Sequence, residues 1–196
     1  MPRRAVAAGP HSPRDPGVTG YYELFGMERR LVLDPAQLQK RFYELSRELH
    51  PDRFVRKSEA ERENALDASS RLNDAYRTLR DPVQRAMYVL SEEGFDIGEQ
   101  RSGDVPPELL EEVFELNMAL EELRGGDETA RPQLEAAGRN FEAMLAGIGD
   151  QLASLFERWD ANPARETLAE IRGVLNRRKY IQNLLREVEK NVHVSN

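Results

Sequence analysis

The sequence predicts an all-α protein built from two helical parts. Three observations carry that prediction. Apolar residues recur at spacings of three and four through residues 21–95 and 106–191, and no segment alternates with period two. Helix starts are written repeatedly in the same chemistry, as Asp34-Pro35, Ser58-x-x-Glu61, Asp81-Pro82 and Asn162-Pro163. A polar, glycine-bearing stretch, 96–105, separates the two parts. The expected organisation is a disordered tail at 1–19, a four-helix domain at 20–95, a linker at 96–105 and a three-helix bundle at 106–196.

The tail reading rests on prolines at 2, 10, 13 and 16 and on missing apolar periodicity. Tyr21–Phe25 reads as a short first helix closed by Gly26. Asp34 then caps a helix with Pro35 at its first position and Gln37 placed to close a capping box. Leu38, Phe42, Leu45 and Leu49 share one face of that helix, and Pro51 stops it. The Ser58 capping box opens a long helix carrying Ala65, Leu66, Ser69, Leu72, Asn73, Tyr76 and Leu79. Asp81 opens a short one carrying Ala86, Met87, Val89 and Leu90, closed near Gly94. Beyond the linker, helices are expected at about 106–124, 128–160 and 163–191. The first is ended by Gly125-Gly126, and the last is opened by Asn162 as cap and Pro163 as first residue. Long helices joined by short turns favour antiparallel packing.

Composition removes several function classes. The 196 residues include no cysteine, which excludes disulfides, thiol catalysis and thiolate ligation of zinc or an iron–sulfur cluster. His11, His50 and His193 are too dispersed to suggest a metal site, and no cofactor motif is present. No apolar run approaches the ~18–20 residues of a membrane span. An apolar signal-peptide core is also missing, and the tail prolines oppose the amphipathic helix of a mitochondrial presequence, so a cytoplasmic location is expected. Net charge is −7 overall, and residues 96–196 carry 12 basic against 20 acidic residues. That excess repels phosphates and argues against nucleic-acid binding.

His50-Pro51-Asp52 stands where the helix capped by Asp34 must end. Proline stiffens the corner, and a loop buries His and Asp only at high cost, so both should face solvent. The preceding helix carries Lys40, Arg41 and Arg47 away from its apolar face. A basic helix beside such a corner suits an acidic partner. Taken alone, a His-x-Asp is an ordinary turn. A hydrolase built on His50 and Asp52 would need a nucleophile motif, and none accompanies them.

The surrounding order is more specific. Tyr21-x-x-Leu24-Phe25-Gly26, Leu38-x-x-x-Phe42, His50-Pro51-Asp52, Leu72-Asn73-x-Ala75-Tyr76-x-x-Leu79 and Asp81-Pro82-x-x-Arg85-x-x-Tyr88 together resemble a J-domain. Arg53 stands where lysine commonly follows the tripeptide, and the charge is kept. The resemblance implies four helices with an antiparallel central hairpin. It implies docking on a DnaK-type ATPase chaperone whose hydrolysis the corner stimulates, with no enzyme activity in this chain. By position, His50, Pro51 and Asp52 are then the signalling residues, and Lys40, Arg41 and Arg47 are electrostatic contacts.

The first bundle helix carries two apolar stripes. Leu109, Val113, Leu116, Leu120 and Leu123 cluster within about 80° of arc, as a buried seam does. Leu110, Phe114 and Met118 sit roughly 100–180° away, bordered by Glu111 and Glu115. This second stripe either widens the core, packs on the first domain, or forms an exposed protein-binding patch. The stretch Leu110-Glu-Glu-Val-Phe-Glu-Leu-Asn-Met-Ala-Leu120 and the segment Arg177-Arg178-Lys179-Tyr180-Ile181-x-x-Leu184-Leu185 resemble the HscB family, co-chaperones of iron–sulfur cluster assembly. Asp81-Pro-x-x-Arg-Ala-x-Tyr-x-Leu-x-x-x-Gly-Phe95 is similar to that family too. The resemblance implies an HscA or DnaK-type chaperone partner and a cluster scaffold of the IscU type. By position, Leu110, Phe114, Glu115, Met118 and Tyr180 would bind the scaffold. Glu111 replaces the family's usual apolar residue, and Met118 replaces its usual glutamate. A bundle that binds a different client protein is the alternative.

Overall fold

The computed structural model describes residues 20–95 and 106–193. The expected tail and linker lie outside the described residues. Two compact units result, one on each side of residues 97 and 98. Every regular element among the described residues is helical.

In the first unit, α1 (Tyr21–Phe25) ends at Gly26, whose φ of +60° is the left-handed conformation that glycine adopts without strain. The Gly26 N–H reaches the Glu23 carbonyl and the Met27 N–H reaches that of Tyr22, which closes the helix. Helix α2 (Pro35–Glu48) is capped by Asp34, whose carboxylate accepts the Ala36 N–H at 2.9 Å. The reciprocal bond expected from Gln37 is not formed: Asp34 engages the second amide of the helix, and the geometry of a capping box goes unmade. Helix α3 (Glu59–Arg80) does form its box. Ser58 Oγ accepts the Glu61 N–H, and the Glu61 carboxylate accepts the Ser58 N–H at 3.0 Å. Asp81 caps α4 (Pro82–Glu92) through the Val83 and Gln84 N–H groups, each at 2.8 Å.

Helices α2 and α3 pack as the central hairpin, with Leu38 of α2 and Leu72, Ala75 and Leu79 of α3 buried in the core and the Phe42 and Tyr76 rings stacked at 4.2 Å. Tyr21 and Tyr88 stack at 4.5 Å, and the Tyr88 hydroxyl accepts the Tyr21 N–H at 3.0 Å, which fastens α1 to α4. Burial raises the pKa of both phenols. Arg85 is the one charged side chain buried here among the described residues. Its guanidinium donates to the Leu31 carbonyl at 3.0 Å and to that of Leu79, so α4 joins the end of α3 to the segment before α2. Leu66, expected on the buried face of α3, is exposed, while Ala65 and Ala75 are buried in this domain.

The second unit holds three helices. A 3-10 turn at Pro107–Leu109 leads into α5 (Leu110–Arg124). A second such turn, Glu128–Ala130, leads into α6 (Arg131–Ala161), which α7 (Arg165–His193) follows. Helix α7 starts two residues after Pro163. Asn162 closes α6 by donating its N–H to the Arg158 carbonyl at 3.1 Å, and it lies too far before Arg165 to be the N-cap expected of it. The ends of α6 and α7 are tied crosswise. Arg131 at the start of α6 donates to the Val192 carbonyl at 3.0 Å, and Arg158 near its end pairs with Glu170. The two helices therefore run antiparallel. Glu108–Arg177 at 3.7 Å and Arg124–Glu187 at 3.2 Å set α5 alongside α7 in the same direction. Leu109, Leu116 and Leu120 pack inward with Leu134, Phe141, Ile148, Leu152 and Trp159 of α6 and with Ile171, Val174, Ile181 and Val188 of α7. Gly138 lets α6 approach α7, since a Cβ there would lie 3.3 Å from Val188 Cγ1.

Candidate functional site

The corner between α2 and α3 opens with one turn of 3-10 helix, Pro51–Phe54, started by His50. Two bonds fold it. The Arg53 N–H reaches the His50 carbonyl at 3.0 Å, and the Asp52 N–H reaches His50 Nδ1 at 3.3 Å. The imidazole is thereby held by the backbone while its side chain stays 56% exposed. The Asp52 carboxylate is 85% exposed and lies 3.6 Å from Nδ1. Both groups thus face solvent, as the cost of desolvating them requires.

The three cations of α2 separate into different environments. Lys40 is exposed and free to meet a partner. Arg47 is exposed, with its Nε donating to the Tyr43 carbonyl of its own helix at 3.3 Å. Arg41 is held by its neighbours while its side chain stays 42% exposed: its Nε donates to the Phe25 carbonyl at 3.2 Å and its Nη1 pairs with Glu44 at 2.8 Å. The carbonyl it meets is an orphan acceptor at the end of α1, so Arg41 serves the joint between two helices. Arg53, noted in the sequence for its retained charge, is also exposed, and Arg56 and Lys57, which sequence reasoning passed over, extend the positive charge around the corner. Their clustering just after the tripeptide was the available signal.

In the bundle, Leu110, Phe114 and Met118 are 56%, 67% and 48% exposed. The second stripe thus points away from the bundle core, and Glu115 stands exposed beside it. Phe114, Glu115 and Met118 border a groove between α5 and α6 of about 530 Å³. Leu110 and Tyr180 lie outside that lining. Tyr180 is half-buried on α7, and burial raises its pKa. Arg177, three residues earlier and so on the same side of α7, reaches Glu108 at 3.7 Å. That bond brings the Tyr180 side of α7 toward the start of α5, where Leu110 sits. Glu112 and Glu122 also border the groove and were not singled out by the stripe pattern.

Among the described residues, no helix is long and apolar enough to cross a membrane, and no group of His, Asp and Glu could hold a metal ion.

A helical hairpin with an exposed His-Pro-Asp turn at its corner, locked by α1 and α4, defines a J-domain co-chaperone. Comparison with known proteins agrees. The chain matches the DnaJ domain family over residues 20–88 and the HSCB C-terminal oligomerisation domain family over residues 105–189. It is 35% identical over 171 residues to the co-chaperone protein HscB homolog of Aliivibrio salmonicida strain LFI1238, covering 87% of this chain and 95% of that one. The homolog from Vibrio vulnificus strain CMCP6 is 34% identical over 170 residues, covering 86% and 94%. Among solved structures, chaperone HscB from Vibrio cholerae superposes with a TM-score of 0.58 at 32% identity, covering 87% of this chain and 95% of that chain. The human co-chaperone protein HscB gives a TM-score of 0.66 at 28% identity, covering 91% and 84%. The chain belongs to the HscB family, the J-domain co-chaperones of iron–sulfur cluster assembly.

Proposed function

We propose that this co-chaperone couples two partners and performs no catalysis of its own. Its J-domain corner stimulates ATP hydrolysis by a DnaK or HscA-type chaperone. Its bundle delivers an IscU-type cluster scaffold to that chaperone through the exposed face of α5, in the cytoplasm. The observation that carries this reading is the pairing, in one chain, of a solvent-facing His50/Asp52 turn with the uncovered Leu110, Phe114 and Met118 stripe.

The mechanism follows from what each surface offers. Exposed cations at Lys40, Arg47 and Arg53 attract an acidic face and raise the encounter rate. The stiff turn then presents His50 and Asp52 in one fixed geometry, so little conformational freedom is lost when they engage. Docking that favours the hydrolysis-competent arrangement of the chaperone is a coupling free energy between two sites on that partner. The α5 stripe supplies apolar area to the scaffold, and the neighbouring carboxylates select a partner of opposite charge.

Two measurements test the reading. The first is ATP turnover by a DnaK-type chaperone with the wild type and with Asp52→Asn. Loss of stimulation in the variant supports the J-domain role, and retained stimulation overturns it. The second is retention of an IscU-type scaffold by the wild type and by Phe114→Ala. Equal retention, or none by either protein, counts against the α5 face and favours a different client.

A further inference from the structure

We propose that α6 supplies a second wall of the scaffold site, and that the groove it forms with α5 seats an apolar side chain flanked by basic residues on the partner. The inference rests on the scaffold binding proposed above and names the chemistry of its occupant.

Three observations meet in this groove. Its base is apolar: Leu116 and Ala119 of α5 and Phe141 of α6 line it and are almost fully buried. Phe114 and Met118 stand over it from α5 as exposed apolar side chains. On the other side, α6 presents Gln133, Ala136 and Asn140 at spacings of three and four, hence on one helix face. Alanine at 136 and 137 keeps that wall low, and the volume of about 530 Å³ exists because no larger side chain occupies it. This size falls within the ~300–1,000 Å³ usual for binding pockets.

Charge selects the occupant. Glu112, Glu115 and Glu122 line the groove, and no Lys, Arg or His does. A partner segment bearing carboxylates beside its apolar anchor would be repelled, whereas lysine or arginine there would pair with the rim. The bundle's overall acidic excess acts in the same direction. The groove also continues directly from Phe114, Glu115 and Met118, so one partner covers stripe and groove together.

The test measures binding of a purified IscU-type scaffold to the full chain by calorimetry. Ala136 is exposed, so substitutions there leave the core untouched, and far-UV circular dichroism verifies each variant. Ala136→Phe, which fills the groove, should weaken binding at least about tenfold. Ala136→Lys should weaken it about fivefold or more at low salt, with the loss shrinking at high salt, whereas Ala136→Glu should bind within about twofold of wild type. Leu110→Ala, on the stripe but outside the groove, reports on the underlying scaffold reading. If Leu110→Ala weakens binding while Ala136→Phe and Ala136→Lys match wild type, the α6 wall is overturned and the scaffold site stands. Equal losses for Ala136→Lys and Ala136→Glu overturn the basic character of the occupant. A wild type that binds no scaffold overturns both.

Discussion

His50 Nδ1 accepts the backbone N–H of Asp52 at 3.3 Å, across the single proline between them. The bond holds the ring's orientation through the backbone, and it leaves the Asp52 carboxylate exposed to solvent. Turn geometry and presentation of the signalling groups are thus the same structural fact.

That separation makes the carboxylate removable without harm to the fold. Asp52→Asn keeps the backbone N–H that His50 uses and alters a side chain 85% exposed. Stimulation of a DnaK-type ATPase should fall to the basal rate in single-turnover hydrolysis. The thermal unfolding free energy should move by less than about 0.5 kcal/mol, as surface substitutions do. A stability loss of several times that size would mean that the carboxylate holds the corner together.

Arg85 behaves oppositely. Its buried guanidinium supplies hydrogens to the carbonyls of Leu31 and Leu79, which sit in separate segments of the J-domain. Truncation to alanine leaves both acceptors buried without these donors, at about 1–3 kcal/mol for each unsatisfied group. Arg85→Ala should lower the denaturant midpoint of the J-domain by an amount equivalent to about 2–4 kcal/mol. Arg85→Lys should restore little of this, because a single ammonium lacks the fork that spans both carbonyls.

The three cations of α2 give a sharper discrimination. Lys40 and Arg47 face solvent, whereas Arg41 is bound to Phe25 and Glu44. Charge reversal at Lys40 or Arg47 should slow association with the chaperone, and the defect should fade as salt shortens the Debye length from ~10 Å at 0.1 M to ~3 Å at 1 M. Arg41→Ala should instead lower thermal stability, by about 0.5–1.5 kcal/mol for the lost bonds, with a salt-insensitive component. Association rates by stopped flow and melting curves, taken on the same three variants, separate the two roles.

Periodicity and capping chemistry made most of this architecture readable, because both depend on neighbours within one or two turns. Asp34, Ser58 and Asp81 all cap the helices expected of them. The exposed Leu110, Phe114 and Met118 stripe was likewise legible as a surplus, since one core seam had already been assigned to Leu109, Val113, Leu116, Leu120 and Leu123, of which Leu109, Leu116 and Leu120 are fully buried and Val113 and Leu123 half-buried. Readings failed where a third element intervened. Arg41 lies at helical spacing for an outward cation and keeps 42% of its side chain exposed, but periodicity gave no sign of its bond to the carbonyl end of α1. Asn162 has the chemistry of an N-cap, but α7 starts only at Arg165, where Ala164 accepts the Leu168 N–H, so Asn162 stands outside the capping position. The α6 wall of the groove left no periodic signal, since its decisive feature is the smallness of Ala136 and Ala137.

The capping box at Ser58 brings a pH dependence of known sign. Hydrogen bonds from the Ser58 hydroxyl and backbone N–H hold the Glu61 carboxyl below its usual range. A depressed carboxylate contributes stability that is complete above its unfolded pKa of ~4.3 and is lost as pH falls through the lower folded value. Glu61→Gln removes the titration at that position while leaving an acceptor for the Ser58 N–H. Between pH 7 and pH 3, the wild type should therefore lose stability relative to Glu61→Gln, with the difference developing below about pH 4.3. Parallel melting curves across that range measure it, and coincident pH profiles would contradict the assigned cause.

Helix α6 carries glycines in two different situations, and stability should tell them apart. Gly147 and Gly149 lie mid-helix, and a Cβ at either would meet nothing within 4 Å. Each pays backbone entropy with no packing return, so alanine at either position should stabilise the bundle by about 0.5–1 kcal/mol. Gly138 is buried where a Cβ would come within 3.3 Å of Val188 on α7. The same substitution there gains the helix preference but pushes two packed helices apart, and overpacking typically costs about 1–3 kcal/mol. Gly147→Ala and Gly149→Ala should raise the unfolding midpoint of the bundle, and Gly138→Ala should lower it. A rise for all three would mean that α6 and α7 part easily at Val188, against the close approach that the glycine permits.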